Sequence, residues 1–176
     1  MANQKLTNKT ALEEQVGSGD LLMVVDVNDT TGSAAGTSKK MDFKYLMQTD
    51  KISLSNAEAQ ALNSSAKTLV GALSGYMITV YNVTFLVSTP SGTETGNKYM
   101  YMGYDNSVTT SYWAQHRGFM NNLSDDRAFS FSPTPPAGGT IDGTLLNKPF
   151  VIWSSGAFNG DWTADVYVTY AYTKVL

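Results

Sequence analysis

Apolar positions fall into three successive patterns along the chain. In residues 1–50, Leu6, Leu12 and Val16 are isolated apolar points before the turn signal Gly17-Ser18-Gly19-Asp20. Residues 21–27 (LLMVVDV) form an apolar, β-branched run that predicts a strand. Residues 28–38 (NDTTGSAAGTS) cannot build a core and read as a loop, and residues 39–43 (KKMDF) alternate as a returning strand. Lys44-Tyr45-Leu46-Met47 is expected to close the module with a helical turn. A two-stranded hairpin is marginal alone in water. Leu21, Leu22, Val24, Val25, Val27, Met41 and Phe43 are therefore expected to dock on another surface and borrow its core.

Residues 51–76 carry helical spacing. Ser55 with Glu58 makes a capping box, and Ala57, Ala59, Ala61 and Ala66 raise helix propensity. Ala59, Leu62, Ala66, Leu69, Leu73 and Tyr76 then recur in alternating steps of three and four, a seam at the coiled-coil period. Leu62, Ala66, Leu69 and Leu73 would lie along it. Two partners suit such a seam: parallel copies from sister chains, or the C-terminal part of the same chain. Gly71 and Gly75 release the chain into strand.

Residues 77–176 change character again. Strands are expected at residues 77–87, 98–104, 110–120, 128–131, 150–153 and 162–172, with Pro90-Ser91-Gly92 and the run 133–139 (PTPPAGG) as breakers. Strands without intervening helix predict an antiparallel β-sandwich of jelly-roll type. The first and last of these strands are the longest and are expected to lie side by side. The fold class is thus mainly β: an N-terminal hairpin, a short central helix and a C-terminal sandwich.

Composition narrows the function classes. Of 176 residues, 42% are hydrophobic and 15% charged, too apolar for a disordered chain and lower in charge than most globular domains. A net charge of −3 gives no electrostatic footprint for nucleic acid or acidic membranes. No run approaches the roughly 18 apolar residues of a membrane span, and residues 1–10 lack the apolar core of a signal peptide. The absence of cysteine removes disulfides, thiolate catalysis and cysteine metal sites.

Catalytic chemistry finds little to work with, and neither a cofactor nor a metal is expected. His116 is the single histidine, so a histidine metal cluster cannot form, and no Gly-x-Ser-x-Gly elbow accompanies it. Asp125-Asp126 is the one adjacent aspartate pair, in a polar loop where such carboxylates are usually solvated or tied down by a residue such as Arg127. Asp26, Asp29 and Asp42 read as turn residues and edge-blocking charges. Trp113, Trp153 and Trp162 have two roles open to them: filling the core, the usual one, or stacking on sugar rings of a host glycan. Trp162, between Gly160-Asp161 and Thr163, is the one placed for a loop tip.

One stretch resembles a known module. Leu6-Thr7, Leu12, residues 20–27 (DLLMVVDV), Asp29-Thr30-Thr31, residues 36–43 (GTSKKMDF) and Leu46 match, in order and spacing, a segment near the N-termini of bacteriophage fibre and head-appendage proteins. The match covers about a quarter of the chain. It implies a non-enzymatic structural protein of the virion, assembled in the bacterial cytoplasm and anchored by residues 1–50 to capsid, neck or tail proteins. It also implies that the remainder projects outward, commonly as a homotrimer, as in a head fibre or capsid appendage. The alternatives are a host-surface glycan-binding module and a tail or connector protein.

Overall fold

A computed structural model of the chain describes residues 21–42, 46–104, 112–132 and 145–174. The chain divides into two units, Met1–Leu46 and Met47–Leu176. In the first, strands β1 (Leu21–Asp26) and β2 (Thr37–Asp42) pair antiparallel with Val25 opposite Ser38. Phe43 and the turn expected at residues 44–47 fall largely outside the described residues, as do Leu6, Leu12 and Val16.

The second unit holds β3 (Gln48–Leu54), α1 (Asn56–Ala61), β4 (Lys67–Val70), β5 (Tyr76–Ser91), β6 (Tyr99–Tyr104), β7 (Tyr112–Arg117), β8 (Arg127–Phe131), β9 (Phe150–Ser154) and β10 (Asp161–Lys174). They form two four-stranded antiparallel sheets, in the orders β3-β10-β5-β8 and β4-β9-β6-β7. The chain passes repeatedly from one sheet to the other, and the protein is mainly β with an antiparallel sandwich. The two longest strands pair as their length and position in the sequence suggest, β10 running along almost all of β5.

Alternation along β10 sets the core. Trp162, Ala164, Val166, Val168 and Tyr170 are buried, while Asp161 and Thr163 between and before them are exposed. Strand β5 keeps pace through a bulge. Its buried positions are Val83, Phe85 and Val87 on one side of Tyr81, and Ile78 and Val80 on the other. The register against β10 shifts between Thr169 and Tyr170, leaving Tyr81 as the extra residue. A period of two would turn half of this long strand inside out; one inserted residue restores the inward face to both halves. The central strand β9 is buried at all five positions.

The helix expected over residues 51–76 does not form. The capping box at its start is real: the Ser55 side chain accepts from the Glu58 N–H and the Glu58 carboxylate accepts from the Ser55 N–H. Only six residues follow before Asn63-Ser64-Ser65, poor helix formers that favour turns, end it. Lys67–Val70 then pairs with β9, and Glu58 meets Lys67 across the turn in an ion pair. The supposed seam is thereby split among elements. Leu62 caps α1 and is buried, Leu69 is buried from β4, and Ala66 and Leu73 are half-buried outside any helix. Residues 51–54 belong instead to β3, an edge strand on β10 held by Ser53–Asp165 (2.9 Å) and Lys51–Asp165 (2.8 Å) contacts.

Candidate functional site

The β1–β2 ribbon is the segment that sequence singles out for docking, and its loop is built from its own polar groups. Asp26 Oδ1 accepts from the Asn28 N–H (3.1 Å), Asp29 Oδ1 accepts from the Thr31 N–H (3.0 Å) and hydroxyl (2.6 Å), and Thr37 Oγ1 accepts from the Gly32 N–H (2.9 Å). Lys39 Nζ reaches back to Asp26 (2.9 Å) and Asp29 (2.8 Å), so the loop closes on one cation. Gly36 completes the turn at φ +114°, where a Cβ would lie 2.7 Å from the Asp26 carbonyl oxygen. Gly36→Ala is expected to destabilise the ribbon by more than about 1 kcal/mol, because both the dihedral and the contact oppose a side chain. Loss of the cross-strand nuclear Overhauser effects between Val25 and Ser38, with those of the second unit unchanged, is the expected result.

Lys39 holds both loop carboxyls below the usual range. Its hydrogen bond is the largest influence on Asp26, with the Asn28 N–H next. On Asp29 the Lys39 bond comes first and the Thr31 hydroxyl second, bringing the carboxyl down to about 2. Lowered carboxylates support the folded loop above their unfolded pKa of 3.8, and that support is lost as pH falls through the folded value. The Thr31 amide is therefore expected to titrate with a midpoint near 2 rather than near 4 in a pH series of amide shifts.

The ribbon leaves apolar side chains in solvent. Met23 is 78% exposed, Val27 69%, Val25 58% and Leu22 38%. Val24 and Met41 are half-buried. For Leu21 only the backbone is described, and Phe43 lies outside the described residues. Among the described residues no third strand joins β1 or β2.

The three tryptophans do not form a sugar platform. Trp113, Trp153 and Trp162 are 4%, 5% and 1% exposed, so none offers an open ring face. Trp162 is not at a loop tip: it begins the inward set of β10 and packs on Phe119 (5.6 Å between centroids) and Phe158 (5.2 Å). Trp113 sits edge-on to Phe150 at 5.6 Å. Trp153 stacks on Tyr101 at 5.5 Å, and Tyr101 on Tyr99 at 5.7 Å.

The remaining polar candidates serve the scaffold. His116 lies in β7, an edge strand, with its ring edge-on to Phe119, Phe129 and Phe131. Asp125 meets Arg127 at 3.3 Å, and Asp126 accepts from the Thr89 N–H at 3.0 Å, so the acidic pair is tied to its own loop and to β5. No group of three or more histidine, aspartate or glutamate side chains could hold a metal among the described residues.

One cluster was not legible in the sequence. Glu94 has a fully buried carboxylate, paired with Lys98 and accepting from the backbone N–H groups of Asn159 (2.9 Å) and Gly160 (2.7 Å). A Cβ on Gly160 would come within 3.0 Å of the Glu94 nitrogen, so glycine permits this approach. The Asn159 side chain closes the cluster, its Oδ1 accepting from the Thr95 N–H (3.0 Å) and from Lys98 Nζ (3.2 Å). Glu94 and Lys98 stand four apart in a polar loop, a spacing that on sequence alone reads as a solvated pair.

No family model matches the chain, and no curated protein matches it. Among solved structures, it is similar to a chain of the cyanophage Pam1 capsid asymmetric unit, at 14% identity and a TM-score of 0.41 over 98% of this chain and 99% of that one. It is similar to the PRD1 vertex protein P5, at 15% identity and a TM-score of 0.39 over 95% of this chain and 90% of that one. A chain of deformed wing virus, a honeybee pathogen, aligns at 11% identity and a TM-score of 0.31, over 100% of this chain and 64% of that one.

Proposed function

We propose that this chain is a non-enzymatic structural protein of a bacteriophage particle, attached through the β1–β2 ribbon and carrying the sandwich as its body. The observation that supports it is the ribbon itself. It is a two-stranded unit with Leu22, Met23, Val25 and Val27 left in solvent. Burying such side chains from full exposure is worth about 1.5–3 kcal/mol each, and these four retain between 38% and 78% of that exposure, so the ribbon has a tendency to be covered by a partner. The resemblance of its sequence to phage attachment segments supports a virion protein of capsid, neck or tail as that partner. The strand β2 carries Lys39 and Lys40, charges that discourage pairing along its own edge and leave the apolar β1 as the docking strand.

Complementing a phage that lacks this protein with residues 1–176 or 47–176 tests the assignment. The full chain is expected in purified particles; the second unit alone is expected to fold and to stay in the soluble fraction. Incorporation of residues 47–176 at the level of the full chain would overturn docking through the ribbon.

Threefold association belongs to the same reading, as an appendage subunit. Because Leu62 and Leu69 are core residues, a trimer must use the sandwich surface or the ribbon instead of a helical seam. Three ribbons on one appendage also multiply a weak individual contact. Light scattering on both lengths gives the stoichiometry: a trimer for both places the contact in the sandwich, a trimer only for 1–176 places it in residues 1–46, and a monomer for both removes the fibre-like form.

A further inference from the structure

The cluster at Glu94 places three groups together whose chemistry goes beyond holding a loop. Lys98 Nζ lies 3.2 Å from the carboxamide oxygen of Asn159 and against the Glu94 carboxylate; its other polar contact is the Thr95 carbonyl at 2.8 Å. Glu94 is fully buried, and Lys98 is 19% exposed at its side chain. Phe158 lines the site, its ring centroid 5.9 Å from Nζ, and continues into the buried Trp162 and Phe119. An amine, an amide and a carboxylate thus meet against an apolar wall, held by loops that are themselves pinned together.

From this juxtaposition we propose that Lys98 and Asn159 become joined by an intramolecular isopeptide bond, with Glu94 as the proton carrier. Glu94 takes a proton from the Lys98 ammonium, leaving a neutral amine with a free lone pair. Nζ adds to Asn159 Cγ, and the negative charge that develops on Oδ1 meets the Thr95 N–H already 3.0 Å away. Asn159 Nδ2, held by the Thr95 hydroxyl oxygen at 2.7 Å, takes up a proton delivered through Glu94. The Cγ–Nδ2 bond breaks and ammonia leaves; one of the two protons still on the adding Nζ goes with it, so the nitrogen departs as ammonium and Nζ keeps a single hydrogen as an amide N–H. One C–N bond forms and one breaks, Glu94 returns to its carboxylate, and no oxidant, metal or cofactor enters.

Physical factors favour this exchange. The reacting groups are held in contact by backbone hydrogen bonds, which replaces an encounter with a fixed geometry. The Phe158 ring covers one side of the site and strengthens the electrostatic interactions there by excluding water. Dilution of the released ammonium into bulk solvent draws the exchange forward. The product closes a loop between residues 98 and 159 in a chain without cysteine, giving it a covalent staple that reducing conditions do not open.

Intact-mass spectrometry of the full chain, followed by peptide mapping, tests this. The expected mass is one ammonia below that of the sequence, with a branched peptide joining Lys98 to Asn159. Lys98→Arg keeps the cation beside Glu94 but offers no attacking amine, and is expected to show the full sequence mass, as is Glu94→Gln. The wild-type chain decides the matter even where a variant fails to fold. Full sequence mass in the folded wild-type chain would overturn the proposal, and so would an ammonia loss mapped to any other residue, such as a cyclised asparagine.

Discussion

Trp162→Ala is expected to lower the stability of the sandwich by about 3–5 kcal/mol, the range for removing a large aromatic from a packed core. The indole is 1% exposed and stands between Phe119 and Phe158, which in turn pack on Phe85 and Phe129 through Phe119. Deleting it opens a cavity at the end of β10, where Asn56 also donates to the Trp162 carbonyl oxygen at 3.2 Å. Urea unfolding followed by Trp113 and Trp153 fluorescence measures the loss as a lower midpoint. Trp162→Phe is expected to cost much less, because it keeps a ring in place and removes an indole N–H that has no acceptor among the described residues. A surface residue that contacts sugar would behave in the opposite way, with stability unchanged in both variants.

Glu94→Ala is the second large effect expected, about 2–6 kcal/mol, because two backbone N–H donors lose their acceptor at about 1–3 kcal/mol each. The substitution leaves the backbone N–H groups of Asn159 and Gly160 without their acceptor. The carboxylate itself joins two loops, and a third is bonded to the Glu94 backbone. The Glu94 backbone carbonyl takes the Asn122 N–H at 2.9 Å, and its side chain takes the loop before β10, so the segments at residues 92–98, 118–122 and 156–160 loosen together. Faster hydrogen exchange at Asn122, Asn159 and Gly160, with a lowered thermal midpoint, is the expected outcome; unchanged exchange at all three would contradict the central place given to Glu94.

Much of the sandwich was readable because burial on one face imposes a period of two. Residues 162–172 alternate, and β10 does so in the structure; residues 128–131 alternate, and β8 does too. The loop carboxylates Asp26, Asp29 and Asp125 were readable for a related reason, since their partners lie close in sequence: Asn28, Thr31 and Arg127 within two residues, Lys39 just across the ribbon. Local geometry is what local sequence encodes.

The misreadings share the converse cause. Residues 56–61 do start a helix from a true capping box, but a spacing of three and four is also what results when a short helix, a turn and an edge strand each send residues into one core. Leu62 and Leu69 satisfy both descriptions, and only β9, about eighty residues later in the chain, decides between them by pairing with residues 67–70. The bulge at Tyr81 is invisible for the same reason, because it exists only against the register of β10. Tryptophan next to Gly-Asp looks like a loop tip until Phe119 and Phe158 are brought to it from elsewhere.

The sequence by itself determined the hairpin with its polar loop, the β character of residues 77–176 and the pairing of the longest strands, because turn chemistry, alternation and length act over short spans. Tertiary structure alone decided the fate of residues 51–76, the burial of all three tryptophans and the meeting of Glu94, Lys98 and Asn159. Lys98 and Asn159 are 61 residues apart. No local rule carries information over such a distance; sheet pairing and the exclusion of water from a shared core do.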